Sequence, residues 1–193
     1  MPTNTVSLAD TTLTAAVADC LDSLTSVRGA EAGLRQVDEA RHRIAPGSVF
    51  SIQRNVTTEQ DPADEILLRR FWSSQSERYP VNGTKRKTLT AWTRRLFLEG
   101  VPFVAEGNSE LARHFDDHEQ MHALRLQSVV NVPLLQGNTC YATFNVFGTQ
   151  PRWSPQQVLA IRLLALAASR WVPCAPALCY RLGNVYFTPF AEA

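Results

Sequence analysis

The stretch that most constrains this chain is residues 126–148. Two runs rich in Val, Leu, Thr and Phe, residues 126–135 and 139–148, flank Gln136-Gly137-Asn138. Runs of that length and composition read as strands, and a Gly-Asn connection between them reads as a tight hairpin. The chain is thereby committed to a central antiparallel pair, and the other segments have to be fitted round it. Directly after it, Ser154-Pro155-Gln156-Gln157 supplies a capping serine, a proline at the first helical position and a glutamine at the capping-box position. The helix it opens is expected to run to about Trp171.

Upstream, Leu13, Val17, Cys20, Leu21 and Leu24 recur at helical spacing between Thr11 and Val27, and Leu34, Val37, Ala40 and Ile44 form a second stripe from Ala30. Ala45-Pro46-Gly47 stops that helix. Residues 48–53 and 66–72 read as strands, with a loop over 55–64. Residues 73–87 read as one long polar loop, and loops of that length in a compact domain are often functional. Thr90 is expected to cap a helix over 91–99, followed by a short strand over 102–104. Asn108 or Ser109 is expected to cap a helix reaching His122. The tail, Ala177 to Phe190, is expected to add an edge strand carrying Tyr180, Leu182, Val185 and Phe187, and residues 1–9 to fray. Strands in a run, framed by helices and short connections, make an α+β domain with a mostly antiparallel sheet.

Charge narrows the function classes. Lys and Arg total 19 against 18 Asp and Glu, a net charge of +1. Neither nucleic acid nor a charged membrane surface is an expected partner, and no apolar run approaches the roughly 20 residues a bilayer requires. Met1-Pro2-Thr3-Asn4-Thr5 lacks the basic and apolar regions of a signal peptide, so a cytoplasmic protein is expected. Its cysteines, Cys20, Cys140, Cys174 and Cys179, have no C-x-x-C spacing. Cys20 and Cys140 fit buried apolar positions, and the other two are expected to be reduced. Only two lysines occur, together in Lys85-Arg86-Lys87.

Three blocks together resemble the GAF domain family, a small-molecule sensing module related in fold to PAS domains. They are Leu126-Gln127-Ser128-Val129-Val130-Asn131-Val132-Pro133-Leu134, the strand from Gly137 to Val146, and Trp153-Ser154-Pro155 with its helix. The segments Tyr79-Pro80-Val81-Asn82-Gly83-Thr84-Lys85, Thr90-Ala91-Trp92 and Phe115-Asp116-Asp117-His118 are similar to stand-alone bacterial GAF proteins. Where the family usually carries Gly-x-Leu, this chain reads Tyr141-Ala142-Thr143. The resemblance implies a GAF-like central sheet with helices on both faces over residues 29–172, a helical extension over 1–28 and a tail over 173–193. It also implies a small-molecule ligand and a homodimer through the N-terminal and closing helices.

Three clusters are candidates for chemistry. His114, His118 and His122 stand at i, i+4 and i+8 around Asp116 and Asp117. On a single helix they form one stripe, with the outer pair about 12 Å apart along the axis, too far to share one ion. His118 should lean inward and His114 outward. The plain reading is a set of solvated histidines. The alternatives are His118 as a ligand contact or general acid/base, with Asp117 as a second catalytic candidate, and His118 or His122 as ligand to a metal ion or haem.

The second cluster, Lys85, Arg86 and Lys87 with Thr90 and Trp92, reads either as a solvated basic loop or as a lid for an anion, with Thr90 at a helix N-terminus and Trp92 as an apolar wall. The third lies on the hairpin. Tyr141, Thr143 and Asn145 share one face by alternation, and Asn131 interrupts an apolar run. A plain two-residue loop puts Asn131 opposite Phe144 and on the other face from Asn145. A longer loop, or a bulge at Pro133, brings the two asparagines to one face. One of Arg69 and Arg70 is expected in the pocket, with Arg69 taken as the candidate.

Two functions follow from these clusters. The first is a ligand-binding domain for a small polar, anionic molecule, contacted by Arg69, Lys85, Thr90, Trp92, His118, Asn131, Thr143 and Asn145. The second is a small lyase or hydrolase of a catabolic intermediate, using His118 as acid or base and Lys85 to stabilise negative charge, with haem or a metal ion as a possible requirement.

Overall fold

The computed structural model describes residues 8–189, with side chains from residue 13 onward. The expected fraying of residues 1–9 and the tail's end at Phe190 fall wholly or partly outside that range. Two helices open the chain: α1, Leu8–Leu24, and α2, Ala30–Ile44, which pack on each other and on α6, Pro155–Ser169. The stripe Leu34, Val37, Ala40 and Ile44 is buried, as its spacing required. At Gly33 the α2 backbone meets the indole of Trp171, whose ring atoms lie 2.5 Å from where a Cβ would stand. In α6 the capping box forms as the sequence predicts: the Ser154 hydroxyl accepts from Gln157 N, and Gln157 Oε1 accepts from Ser154 N. Among the described residues no helix is long and apolar enough to cross a membrane.

Six strands form one curled antiparallel sheet. They are β1, Val49–Asn55; β2, Glu65–Ser73; β3, Thr84–Thr88; β4, Phe103–Glu106; β5, Ser128–Gln136; and β6, Thr139–Gly148, in the order β3-β2-β1-β6-β5-β4. Strand alternation gives the sheet two faces. Phe50, Ile52, Phe144 and Val146 lie on one and are buried against the helical layer. Phe50 and Phe144 are in ring contact at 4.4 Å. Val49, Ser51, Gln53, Asn131, Asn145 and Phe147 lie on the other.

The β5–β6 hairpin settles the register. Its loop has two residues, with Gly137 in the left-handed region at φ +58°. The pairing then slips by one residue between Leu134 and Leu135, which sets Asn131 opposite Asn145. A bulge inserts one extra residue and shifts parity beyond it. Of the alternatives the sequence left open, the two-residue loop and a bulge both occur, the bulge one residue beyond Pro133. The same slip diverts Tyr141, whose hydroxyl donates to Ser169 O at the end of α6 at 3.2 Å rather than joining Thr143 and Asn145.

Three further expectations are corrected. The long loop 73–87 ends in a strand, β3, because Lys85, Arg86 and Lys87 pair with Leu68, Leu67 and Ile66 at the sheet edge. The single helix through the histidines is two: α4, Asn108–His114, and α5, His118–Ala123. They are broken by Phe115 in extended conformation (φ −128°, ψ 120°), and the residue before α4 is Gly107, not a capping side chain. The tail forms its own two-stranded sheet, β7, Tyr180–Leu182, with β8, Val185–Phe187, instead of an edge strand. Tyr180 fastens it: its hydroxyl accepts from Cys140 N and donates to Phe97 O, both at 3.0 Å. All four cysteines stand free, and burial pushes the Cys20 thiol up to about 11.

Candidate functional site

Between β3 and β4 the chain covers the second face of the sheet. Helix α3, Ala91–Thr93, continues into a π-helical turn, Arg94–Leu98. Segments of that kind often mark functional positions. The corner between α4 and α5 closes from the other side. Together they enclose a cavity of about 50 Å³, room for a few water-sized groups. Its walls are apolar: Trp92, Phe115, Met121, Leu126 and Phe147. Trp92 and Phe115 meet edge-on, with centroids 6.3 Å apart.

The floor is a directed chain of hydrogen bonds. Trp92 Nε1 donates to Asn131 Oδ1 at 2.9 Å. Asn131 Nδ2 donates to Asn145 Oδ1 at 2.7 Å. Asn145 Nδ2 donates to Thr143 O and Oγ1 at 3.3 and 3.2 Å. All four residues are buried. The bulge makes this chain possible, since without it the two asparagines would face apart.

Charge sits on one side. The pleat of β3 splits the basic triplet two to one. Arg86 turns outward to Asp61 and Glu65 at 2.9 and 3.2 Å. Lys85 and Lys87 turn to the cavity. Lys85 Nζ is 3.0 Å from Asp117 Oδ2 and Lys87 Nζ is 2.9 Å from Asp116 Oδ2. Two ion pairs therefore tie the sheet edge to the α4–α5 corner. The hydrogen bond and charge of Lys87 hold Asp116 below the usual carboxylate range.

Arg70 reaches in from β2. Its Nη1 donates to Pro80 O at 3.2 Å and its guanidinium lies 5.4 Å from the Tyr79 ring centroid. Burial lowers its pKa, opposed by Asp117. Burial, with Asp117 second, raises that of the Tyr79 phenol. Two buried polar atoms at this site have no hydrogen-bond partner: Arg70 Nε and Asp117 Oδ1.

No family model matches the chain, and no curated protein matches it. Solved structures do. The GAF domain of a phosphoenolpyruvate-protein phosphotransferase (ptsP) from Coxiella burnetii superposes with a TM-score of 0.59 at 11% identity, over 85% of this chain and 94% of that one. The A. aeolicus nlh2 GAF domain gives 0.58 at 14%, over 84% and 96%. The chain has a GAF fold. The chromophore-binding domain of the R. palustris bacteriophytochrome RpBphP3 gives 0.60 at 10%, and there the chain spans 61% of the other's length.

Within this GAF fold, Lys85, Trp92, Asp117, Asn131 and Asn145 converge on one cavity. Thr143 lies behind Asn145, as its acceptor. Thr90 does not line the cavity. It caps α3 in a reciprocal box with Thr93, whose Oγ1 takes the Thr90 N–H at 2.6 Å.

Arg69 is exposed on the opposite face. A register slip between Ile52 and Gln53 pairs Gln53 with Arg70, so Arg70 takes the inward position. His118 and His122 line a separate shallow cleft with Asn108, Leu111 and Glu119, and Leu126 is common to both clefts. His118 Nδ1 sits 3.3 Å from Phe115 O. Among the described residues no three His, Cys, Asp or Glu side chains gather as a metal site. His114, expected outward, packs edge-on against Phe103 at 5.0 Å, because it follows the buried Leu111 by three residues in α4 and shares its face. Arg70 was the alternative to Arg69 and Lys87 a member of the basic cluster, neither singled out as a contact; Tyr79, Ser51 and Gln53 were not among the sequence candidates. Only the strand parity of residues 48–53 pointed to the last two.

Proposed function

We propose that this GAF domain binds a small anion, of the carboxylate or phosphate class, in the cavity between its sheet and the α3 and α4–α5 cover. The observation that carries this reading is the buried, unpartnered Nε of Arg70 beside Lys85 and Lys87, in a pocket that Trp92, Phe115, Met121, Leu126 and Phe147 wall on its apolar side. A buried donor without a partner costs free energy that an acceptor recovers, and a guanidinium keeps its charge there. The free cysteines are in keeping with a cytoplasmic setting.

Acetate and inorganic phosphate, titrated calorimetrically against acetamide as a neutral control, test it. At least one anion is expected to bind where acetamide does not. Binding of neutral or cationic molecules alone overturns the reading. Lys85→Ala is expected to weaken the anion about 3–10-fold without unfolding the domain, since its ammonium is already paired with Asp117 and the pair is partly exposed. Unchanged affinity would reduce Lys85 to a strut between β3 and the α4–α5 corner.

We propose also that two copies associate through α1 and α6. Leu159, Leu163 and Leu166 stand at i, i+4 and i+7 along α6 with 55, 39 and 69% of their surface exposed, and Leu21 of α1 is 47% exposed. An apolar stripe of this kind marks an interaction face. Sedimentation analysis is expected to find a dimer that Leu163→Glu with Leu166→Glu dissociates. A wild-type monomer at tens of micromolar protein ends the proposal.

A further inference from the structure

We infer that the anion is a short hydroxycarboxylate, its carboxylate on Arg70 and its hydroxyl donating to Asp117 Oδ1. This rests on the anion reading above and adds what the second unpartnered atom requires. The two orphaned groups are of opposite kind. Arg70 Nε is a donor that needs an acceptor, whereas Asp117 Oδ1 is an acceptor that needs a donor. A plain carboxylate answers only the first and leaves a buried carboxylate oxygen bare, which costs more than an unsatisfied neutral group. The ligand must therefore carry both an anionic acceptor and a donor.

The charge around the cavity selects between donors. Arg70, Lys85 and Lys87 line the cavity with Asp117, and Lys87 is paired with Asp116 outside the lining, so three cations stand against two carboxylates and one positive charge is left to be balanced. A monoanion balances it. A dicarboxylate overshoots by one charge, and a zwitterionic amino acid leaves the excess in place. The other oxygen of Asp117 is already 3.0 Å from the Lys85 ammonium. A second ammonium on Oδ1 would stand close to the first and to the guanidinium, and like charges at such range oppose each other in a poorly solvated site. A neutral hydroxyl meets the same oxygen without that repulsion. The size of the cavity, about 50 Å³, keeps the molecule short.

Calorimetric titration of the intact protein with glycolate, D- and L-lactate, propionate and alanine decides the matter. At least one hydroxy acid is expected to bind about tenfold or more tightly than propionate and than alanine, the ratio one hydrogen bond to a charged group supplies. In Asp117→Leu, checked for an unaltered fold by its circular dichroism, the ratio of that hydroxy acid to propionate is expected to collapse to about one. Propionate binding as well as every hydroxy acid overturns the hydroxyl assignment and leaves the anion reading standing. Alanine binding tightest overturns the choice of donor. If no carboxylate binds, this inference falls, and the anion reading falls with it only when inorganic phosphate also fails to bind. A discrimination that survives in Asp117→Leu removes Asp117 from the role even if hydroxy acids bind best.

Discussion

Phe144→Ala is expected to lower the stability of the domain by about 3–5 kcal/mol, the range for deleting a fully buried phenyl ring. For a chain of this length that corresponds to a fall of roughly 6–20 °C in Tm. The size of the loss follows from position. Strand β6 lies between β1 and β5 in the middle of the sheet, and Phe144 pairs across to Ile52 on one side and Val132 on the other. Its side chain has no exposed surface and its ring touches that of Phe50. Strands fixed on both edges move little, so the cavity left behind collapses poorly. Chemical denaturation followed by circular dichroism measures it. A loss under about 1 kcal/mol would mean that the Phe50–Phe144 contact does not anchor the core as described. Leu166→Ala offers the comparison: an equally apolar side chain, 69% exposed on α6, and an expected change within about 0.5 kcal/mol for an isolated protomer.

What the sequence revealed, and what it hid, divides along one physical line. Features set by local chemistry were legible. The Ser154-Pro155-Gln157 cap, the α2 stripe and the strand character of residues 128–148 depend on neighbours a few positions away, and they form as expected. Features set by parity over a longer distance were not. Asn131 and Asn145 meet because one residue is inserted at Leu134/Leu135, where the neighbouring Pro133 allows a bulge but does not require one. Arg70 and not Arg69 points inward for the same kind of reason, a slip at Ile52/Gln53 on the neighbouring strand. The histidine stripe failed at Phe115, where an extended residue ends α4 in the midst of a pattern whose spacing is helical throughout. Aspartates before a helix start were the available signal: Asp116-Asp117 precedes α5, with Asp117 at its first flank. The lysines were visible as an oddity of composition. Their meaning required β3, because only pleating sends Lys85 and Lys87 one way and Arg86 the other.

Arg70→Gln is expected to cut affinity for the anion about 10–100-fold while changing the stability of the unliganded domain by no more than about 1 kcal/mol. The two effects separate because Arg70 is under-used in the empty cavity. Its side chain donates to Pro80 O and contacts the Tyr79 ring, each worth about 1 kcal/mol or less in a partly exposed setting. Against these stands the cost of a charged group whose Nε is buried without a partner. Removing the guanidinium forfeits the first and relieves the second. A bound carboxylate changes the balance, since Nε and Nη2 form a fork that donates to both of its oxygens, and charge-assisted bonds of that kind are worth about 1.5–3 kcal/mol. Arg70→Lys keeps the charge without the fork and is expected to fall between glutamine and wild type. Arg69→Gln, one residue away on the exposed face, is expected to leave affinity unchanged. The pair of neighbours thus tests the site and the strand register at once. Loss of binding in Arg69→Gln with none in Arg70→Gln would reverse the slip at Ile52/Gln53, and the cavity floor would have to be rebuilt around the other face of β2.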